Sequence, residues 1–135
     1  MTDARRVLPD TSVWVDLLCG NQSDEARLLR ELIASEVPIL LGDLVLYELL
    51  QGHPNEGAAE RASDFLAAFH VVTLTGGHAV MAAARCNRIL RRQGVTVRTT
   101  VDVLIASWCL DNDAALLHRD RDFRPFEDVF GLRTA

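Results

Sequence analysis

The chain alternates short, unbroken apolar runs with stretches of helical periodicity, and this alternation limits the folds open to it. The strands expected are Arg6–Leu8, 38–41 in "PILLG", 70–74 in "HVVTL" and 114–118 in "AALLH". Runs that do not alternate apolar with polar residues suit strands buried on both faces, as in a parallel sheet whose crossovers are helices. Between them, Val13–Leu18 makes a helical turn or two. "SDEARLLRELIASE" is a helix with Ser23 as N-cap, and its Leu28, Leu29, Leu32 and Ile33 recur at helical spacing. Asp43 caps "LVLYELLQG", and Gly52 stops it. Further helices are expected over Glu56–Phe69, over Gly77–Gln93 as far as Gly94, and over "VDVLIASWCLDND" with Thr100 as cap. A weak terminal strand is expected around Val129. The fold class is therefore α/β, a single domain over residues 1–135.

Composition removes several chemistries. All fourteen basic residues are arginine, so Schiff-base catalysis, P-loops and receiver-type phosphoacceptor sites, each needing a lysine, are excluded. No G-x-G-x-x-G follows the first strand, which argues against dinucleotide binding. An aspartyl-phosphate hydrolase wants D-x-D there, whereas Asp10 is followed by Thr11 and Ser12. Cys19, Cys86 and Cys109 are far apart, have apolar neighbours and form no C-x-x-C, and so read as reduced core thiols of a cytoplasmic protein. His53, His70, His78 and His118 lack ligand spacing and read as surface or filler residues. No apolar run is long enough to span a bilayer. Net charge is −5, yet Arg85, Arg88, Arg91, Arg92 and Arg98 fall between Met81 and Thr100 with no acidic residue among them. Arg85, Arg88 and Arg92 share one helix face. That face is either simply solvated or able to hold a phosphate backbone or an acidic partner segment.

The acidic residues carry the functional argument. Asp10 follows the first strand, and Asp120 and Asp122 follow the last. Asp102 lies in the first turn of "TVDVLIASWC", and Glu48 sits inside the apolar "LVLYELLQG". Each has an ordinary explanation. Asp10 could be an N-cap, Asp102 could complement a helix dipole, and Asp120 and Asp122 could pair with Arg119 and Arg121 in a turn. Glu48 resists this treatment, because a buried carboxylate needs a cation and its sequence neighbours offer none. Open α/β sheets keep their ligands at the carboxyl ends of the strands, where these acids would gather. Oxygen ligands without His or Cys suit Mg²⁺ or Mn²⁺ better than zinc. A metal so held suits phosphodiester hydrolysis.

Four segments in order, "VLPDTSVWVDLL", "LVLYELLQG", "TTVDVLIASWCL" and "LLHRDRDF", resemble a PIN domain of the VapC-like toxin group over Arg6 to Gly131. The resemblance implies an α/β/α sandwich with a central, mainly parallel sheet. It implies a Mg²⁺- or Mn²⁺-dependent endoribonuclease, an antitoxin partner, an RNA substrate and a homodimer. Carried over residue by residue, Asp10 and Asp102 match the principal metal ligands and Glu48 the second acid. Thr11 and Ser12 match the hydroxyls that orient ligands or water. The last motif, "HRDRDF", is one residue shorter than the commoner form. It leaves Asp120, nearest the strand, as the favoured fourth acid and Asp122 as the alternative. Pro9 is expected to end strand pairing and fix Asp10 in its turn, with capping as a secondary use of that carboxylate. The competing expectation is an inactive PIN-like module that binds RNA or protein, against which the intact carboxylate set argues.

Overall fold

A computed structural model describes residues 5–135. The elements run β1 (Val7–Pro9), α1 (Thr11–Cys19), α2 (Asp24–Ala34), β2 (Leu40–Gly42), α3 (Asp43–Gln51), α4 (Glu56–Leu66), β3 (His70–Val72), α5 (Gly77–Arg92), α6 (Thr100–Asp111) and β4 (Ala115–Leu117). A 3₁₀ turn over Arg121–Phe123 then leads into α7 (Arg124–Phe130). Every strand pairing is parallel. β1 pairs with β4 (Leu8 opposite Leu116), and β2 pairs with β3 (Leu41 opposite Val71). A bridge between Val7 and Ile39 joins the two pairs, and one between Leu116 and Thr134 adds the C-terminal segment beyond β4. The lateral order is thus β3, β2, β1, β4, then residue 134. From β1 the chain first builds outward on one side and later on the other, so the topological switch point lies between β1 and β4. Ligands of open α/β sheets bind outside the carboxyl ends of the strands at such a point.

The core explains the apolar runs. Leu8, Leu41, Leu116 and Leu117 in the strands are fully buried, and so are Trp14, Leu29, Leu90, Ile105 and Phe126 from the covering helices. The helices form two groups: α1 packs on α2 and α3, and α3 on α4, while α5 packs along α6. In α6, Val103 to Ser107 are all buried, as befits a helix apolar nearly all round. Gly42 ends β2 where a Cβ would come within 2.6 Å of the Leu74 side chain, itself fully buried, so any larger residue would force Leu74 to shift.

Several expectations are corrected. Pro9 does not end the β1–β4 ladder; it is paired with Leu117. Successive residues of a parallel strand bond to opposite neighbours. The Arg6 carbonyl and the Asp10 N–H both bond toward β4, at 2.9 Å each, while the Val7 N–H bonds to Pro38 on the β2 side. The missing N–H of Pro9 therefore faces β2, past the single bridge, and costs the β4 ladder nothing. β3 is an edge rather than a buried strand, with Val71 exposed. The segment around Val129 is helical, within α7; Gly131, at φ +73°, turns the chain so that residues 133–135 reach Leu116. The cap of α6 is Thr99, whose hydroxyl accepts the Asp102 N–H at 3.1 Å. Asp43 is the first residue of α3, after Gly42 at the cap. Its carboxylate accepts the N–H groups of Leu44 and Leu74, at 2.9 Å each, and ties α3 to the segment after β3. α4 stops at Leu66, and Cys19 is exposed.

Candidate active site

Asp10 stands where β1 hands over to α1. Its N–H continues the ladder to Leu117, and its carbonyl accepts the N–H groups of Val13 and Trp14. Its carboxylate takes no capping hydrogen bond, so the secondary role expected for it is absent. The side chain is buried and accepts the Ser12 hydroxyl at 3.1 Å. Burial pushes the Asp10 carboxyl above its ordinary range, against the pull of Ser12 and the Thr11 N–H; the Asp120 charge adds to the rise.

Asp102 lies in the first turn of α6. Burial is the first cause that lifts its pKa, to about 6, against the hydrogen bond with Thr99; the charges of Asp10, Asp120 and Asp122 lift it further. Asp120 lies three residues beyond the end of β4 and caps the following 3₁₀ turn, its Oδ1 accepting the Asp122 N–H at 2.9 Å. That turn swings both carboxylates toward α6. Asp102, Asp120 and Asp122 each bring an oxygen to within 4.8 Å of the others.

Glu48 is not in this triad. It is half-buried on α3, and its Oε1 accepts the Thr11 hydroxyl at 2.7 Å, which joins it to the site through the residue after Asp10. This hydroxyl gives Glu48 a polar partner that its neighbours in the sequence do not supply. Thr11 and Ser12 are thus each committed to a carboxylate, Thr11 to Glu48 and Ser12 to Asp10. Asp120 and Asp122, read from sequence as alternatives, stand in the triad together.

Two further groups border the site. Arg119 does not pair with Asp120 or Asp122. Its guanidinium reaches across to Asp16 of α1, at 2.8 Å, and the buried Asp16 also accepts the Asn21 amide at 3.1 Å. Hydrogen bonds from Asn21 and Ser23, with the Arg119 charge behind them, hold the Asp16 carboxyl below its ordinary range against the opposing effect of burial. Asp16 was missed although it showed the same signal as Glu48, a lone acid among apolar neighbours in "SVWVDLL". His118 is no surface filler: its side chain is 9% exposed, its ring lies 4.8 Å from that of Phe123, and its Nε2 is 2.9 Å from Glu127. Burial raises the Glu127 carboxyl, but hydrogen bonds from Thr134 and His118 with the Arg124 charge outweigh it, and the net shift is downward.

Arg85, Arg88 and Arg92 are exposed on α5, and none of the ion pairs among the described residues uses them. No helix among the described residues is long and apolar enough to cross a membrane.

The PIN-domain profile matches residues 7–128. The VapC ribonuclease Mb1587 of Mycobacterium bovis is 28% identical over 130 residues, covering 96% of this chain and 97% of its own length. Ribonuclease VapC11 of Mycobacterium tuberculosis matches to the same extent. Among solved structures, VapBC2 of Rickettsia felis, bound to a DNA fragment from its promoter, superposes with a TM-score of 0.76 at 19% identity, over 96% of this chain and 97% of that one. FitAcB of Neisseria gonorrhoeae does so with a TM-score of 0.74 at 16% identity, over 96% of each chain.

Proposed function

The chain belongs to the PIN-domain family, and from that premise we propose that it is a divalent-metal-dependent endoribonuclease, the toxin of a toxin–antitoxin pair. The observation that carries this reading is the meeting of Asp102, Asp120 and Asp122 at the switch point of the sheet, with Asp10 near enough to raise the Asp102 pKa. Relatives named as VapC ribonucleases support the reaction class. Structural neighbours that are toxin–antitoxin complexes support a protein antitoxin as partner. An inactive binding module is not favoured, since clustered carboxylates repel the phosphates it would have to hold.

The residues fit a hard cation. The donors that converge are carboxylate oxygens alone, which suits Mg²⁺ or Mn²⁺. Asp102, Asp120, Asp122 and Asp10 would hold the ion, and Glu48 would approach it from the Thr11 side. Once bound, such an ion offsets the carboxylate charge, acidifies a water and stabilises charge that develops on the phosphate. The chain's own residues orient the rest. Ser12 fixes which way the Asp10 carboxylate turns, and Thr11 holds one oxygen of Glu48 so that the other is free to accept a proton. Arg85, Arg88 and Arg92 supply positive charge outside the acidic centre, where RNA phosphates or an acidic antitoxin segment would lie. The resemblance to the VapC-like group also supports action in the cytoplasm and as a homodimer.

The test is incubation of purified protein with total RNA in Mg²⁺ or Mn²⁺ and in EDTA, followed by mapping of the cut ends. Metal-dependent cleavage is expected, with Asp102→Asn lowering the rate at least about 100-fold, the loss typical of removing a group that stabilises the transition state. Undiminished cleavage in excess EDTA would overturn the reading.

A further inference from the structure

The turn that carries Asp120 and Asp122 is held from behind by a chain of hydrogen bonds with one consistent direction. The Asp120 N–H points at His118 Nδ1, 3.2 Å away. An N–H needs a lone pair, so Nδ1 carries no proton and the neutral ring keeps its proton on Nε2. Nε2 then donates to Glu127 Oε2 at 2.9 Å. The same oxygen accepts the Thr134 hydroxyl at 2.5 Å, in the segment that bridges to Leu116. At the other end, Asp120 Oδ1 accepts the Asp122 N–H. No donor faces a donor anywhere along this path.

We propose that His118 is a positioning residue of the acidic site: Nδ1 fixes the Asp120 backbone, and Glu127, itself tied to Thr134, fixes the ring. This rests on the nuclease reading above and adds to it a group that touches neither metal nor RNA. Its argument is geometric. With only 9% of the side chain exposed, the ring has little freedom to choose other partners. The path runs through the residues that set where two of the three converging carboxylates stand. Groups that orient metal ligands in this way typically change metal affinity by about 10- to 100-fold when they are lost. A histidine present only for packing against Phe123 would carry no such dependence.

Replacement by shape separates the two roles. Asn can bring its Oδ1 to the place of Nδ1 and accept the Asp120 N–H. Gln can reach Glu127 but leaves that N–H unpaired. Leu fills space and does neither. Thermal melts of the full chain titrated with Mn²⁺ give the concentration of half-maximal stabilisation, alongside the metal-free Tm. His118→Leu and His118→Gln are expected to raise that concentration about 10-fold or more, while His118→Asn stays within about 3-fold of the parent. Equal midpoints in all three variants, whatever happens to the metal-free Tm, would overturn the proposal. Amide exchange in the metal-free proteins gives an independent reading, with the Asp120 N–H protected in the parent and in His118→Asn and exposed in His118→Leu and His118→Gln; an Asp120 N–H that exchanges freely in the parent also overturns it. A parent that shows no metal stabilisation, yet has a protected Asp120 N–H, overturns the nuclease reading and the metal-positioning role together, whereas a parent stabilised by metal whose variants share one midpoint overturns the positioning role alone.

Discussion

Asp102 and Asp16 are carboxylates displaced in opposite directions, and they divide the pH response of the metal-free protein between two windows. Asp102, lifted to about 6, keeps its proton in the folded state after the unfolded chain, with a carboxyl near 3.9, has released its own. Between those values the unfolded state binds fewer protons, so stability falls as pH rises from about 4 to about 6 and then levels off. Asp10, also raised, adds to the fall. Asp16 is lowered, so its contribution is complete above the unfolded value and is lost as pH drops through its folded one. Urea midpoints in EDTA across pH 3 to 8 should therefore peak near the unfolded carboxyl value. Asp102→Asn should flatten the fall above it and leave the metal-free protein at pH 7 as stable as the parent or more so. Mg²⁺ should stabilise the parent more than the variant. A variant destabilised at pH 7, with no metal response in the parent, would reduce Asp102 to a first-turn acid worth roughly 0.3–1 kcal/mol. Asp10, Glu48, Asp102 and Asp120 stood out in the sequence as acids at strand ends or in apolar helices, and the structure brings Asp102 and Asp120 together with Asp122, which the sequence offered only as an alternative. The role of His118 was not legible, because its partners Glu127 and Thr134 adjoin it only after the chain has folded back.

At the scale of elements, α6 shows what neighbouring residues of one type conceal. The sequence "TT" offers two caps, and only the backbone tells them apart: Thr99 has extended φ and ψ, and its hydroxyl takes the Asp102 N–H. Thr99→Ala should cost about 0.5–2 kcal/mol, as lost caps do, and Thr100→Ala much less. Equal losses in chemical denaturation would refute the assignment. Because Thr99 also bonds to Asp102, its loss should weaken metal stabilisation, which Thr100→Ala should leave alone. Strand existence was legible from the apolar runs, but edges were not. "HVVTL" and "AALLH" look equally buried in sequence, yet β3 lies at the margin of the sheet and β4 lies between β1 and the C-terminal segment. Pro9 was misread for a related reason, since the side of a strand on which an N–H is missing depends on which neighbour lies there.

Over the whole molecule, charge is arranged against the net value of −5. The acids gather at the switch point, and the arginines of α5 stand exposed without ion-pair partners among the described residues. Reversing charge at Arg88 and Arg92 together should weaken RNA binding and make its dependence on salt shallower, read from the slope of log K against log salt. An unchanged slope for RNA and for antitoxin alike would make this face a merely solvated one. The α/β class was legible from alternation alone, but the order of strands was not, because it is decided by the pairing of β1 with β4 across most of the sequence. That pairing has a consequence for the living cell. The carboxylates of the proposed metal site sit at positions 10, 102, 120 and 122, so a chain still being made lacks one of them until all but its last residues have been joined, and the site can close only on a nearly finished molecule.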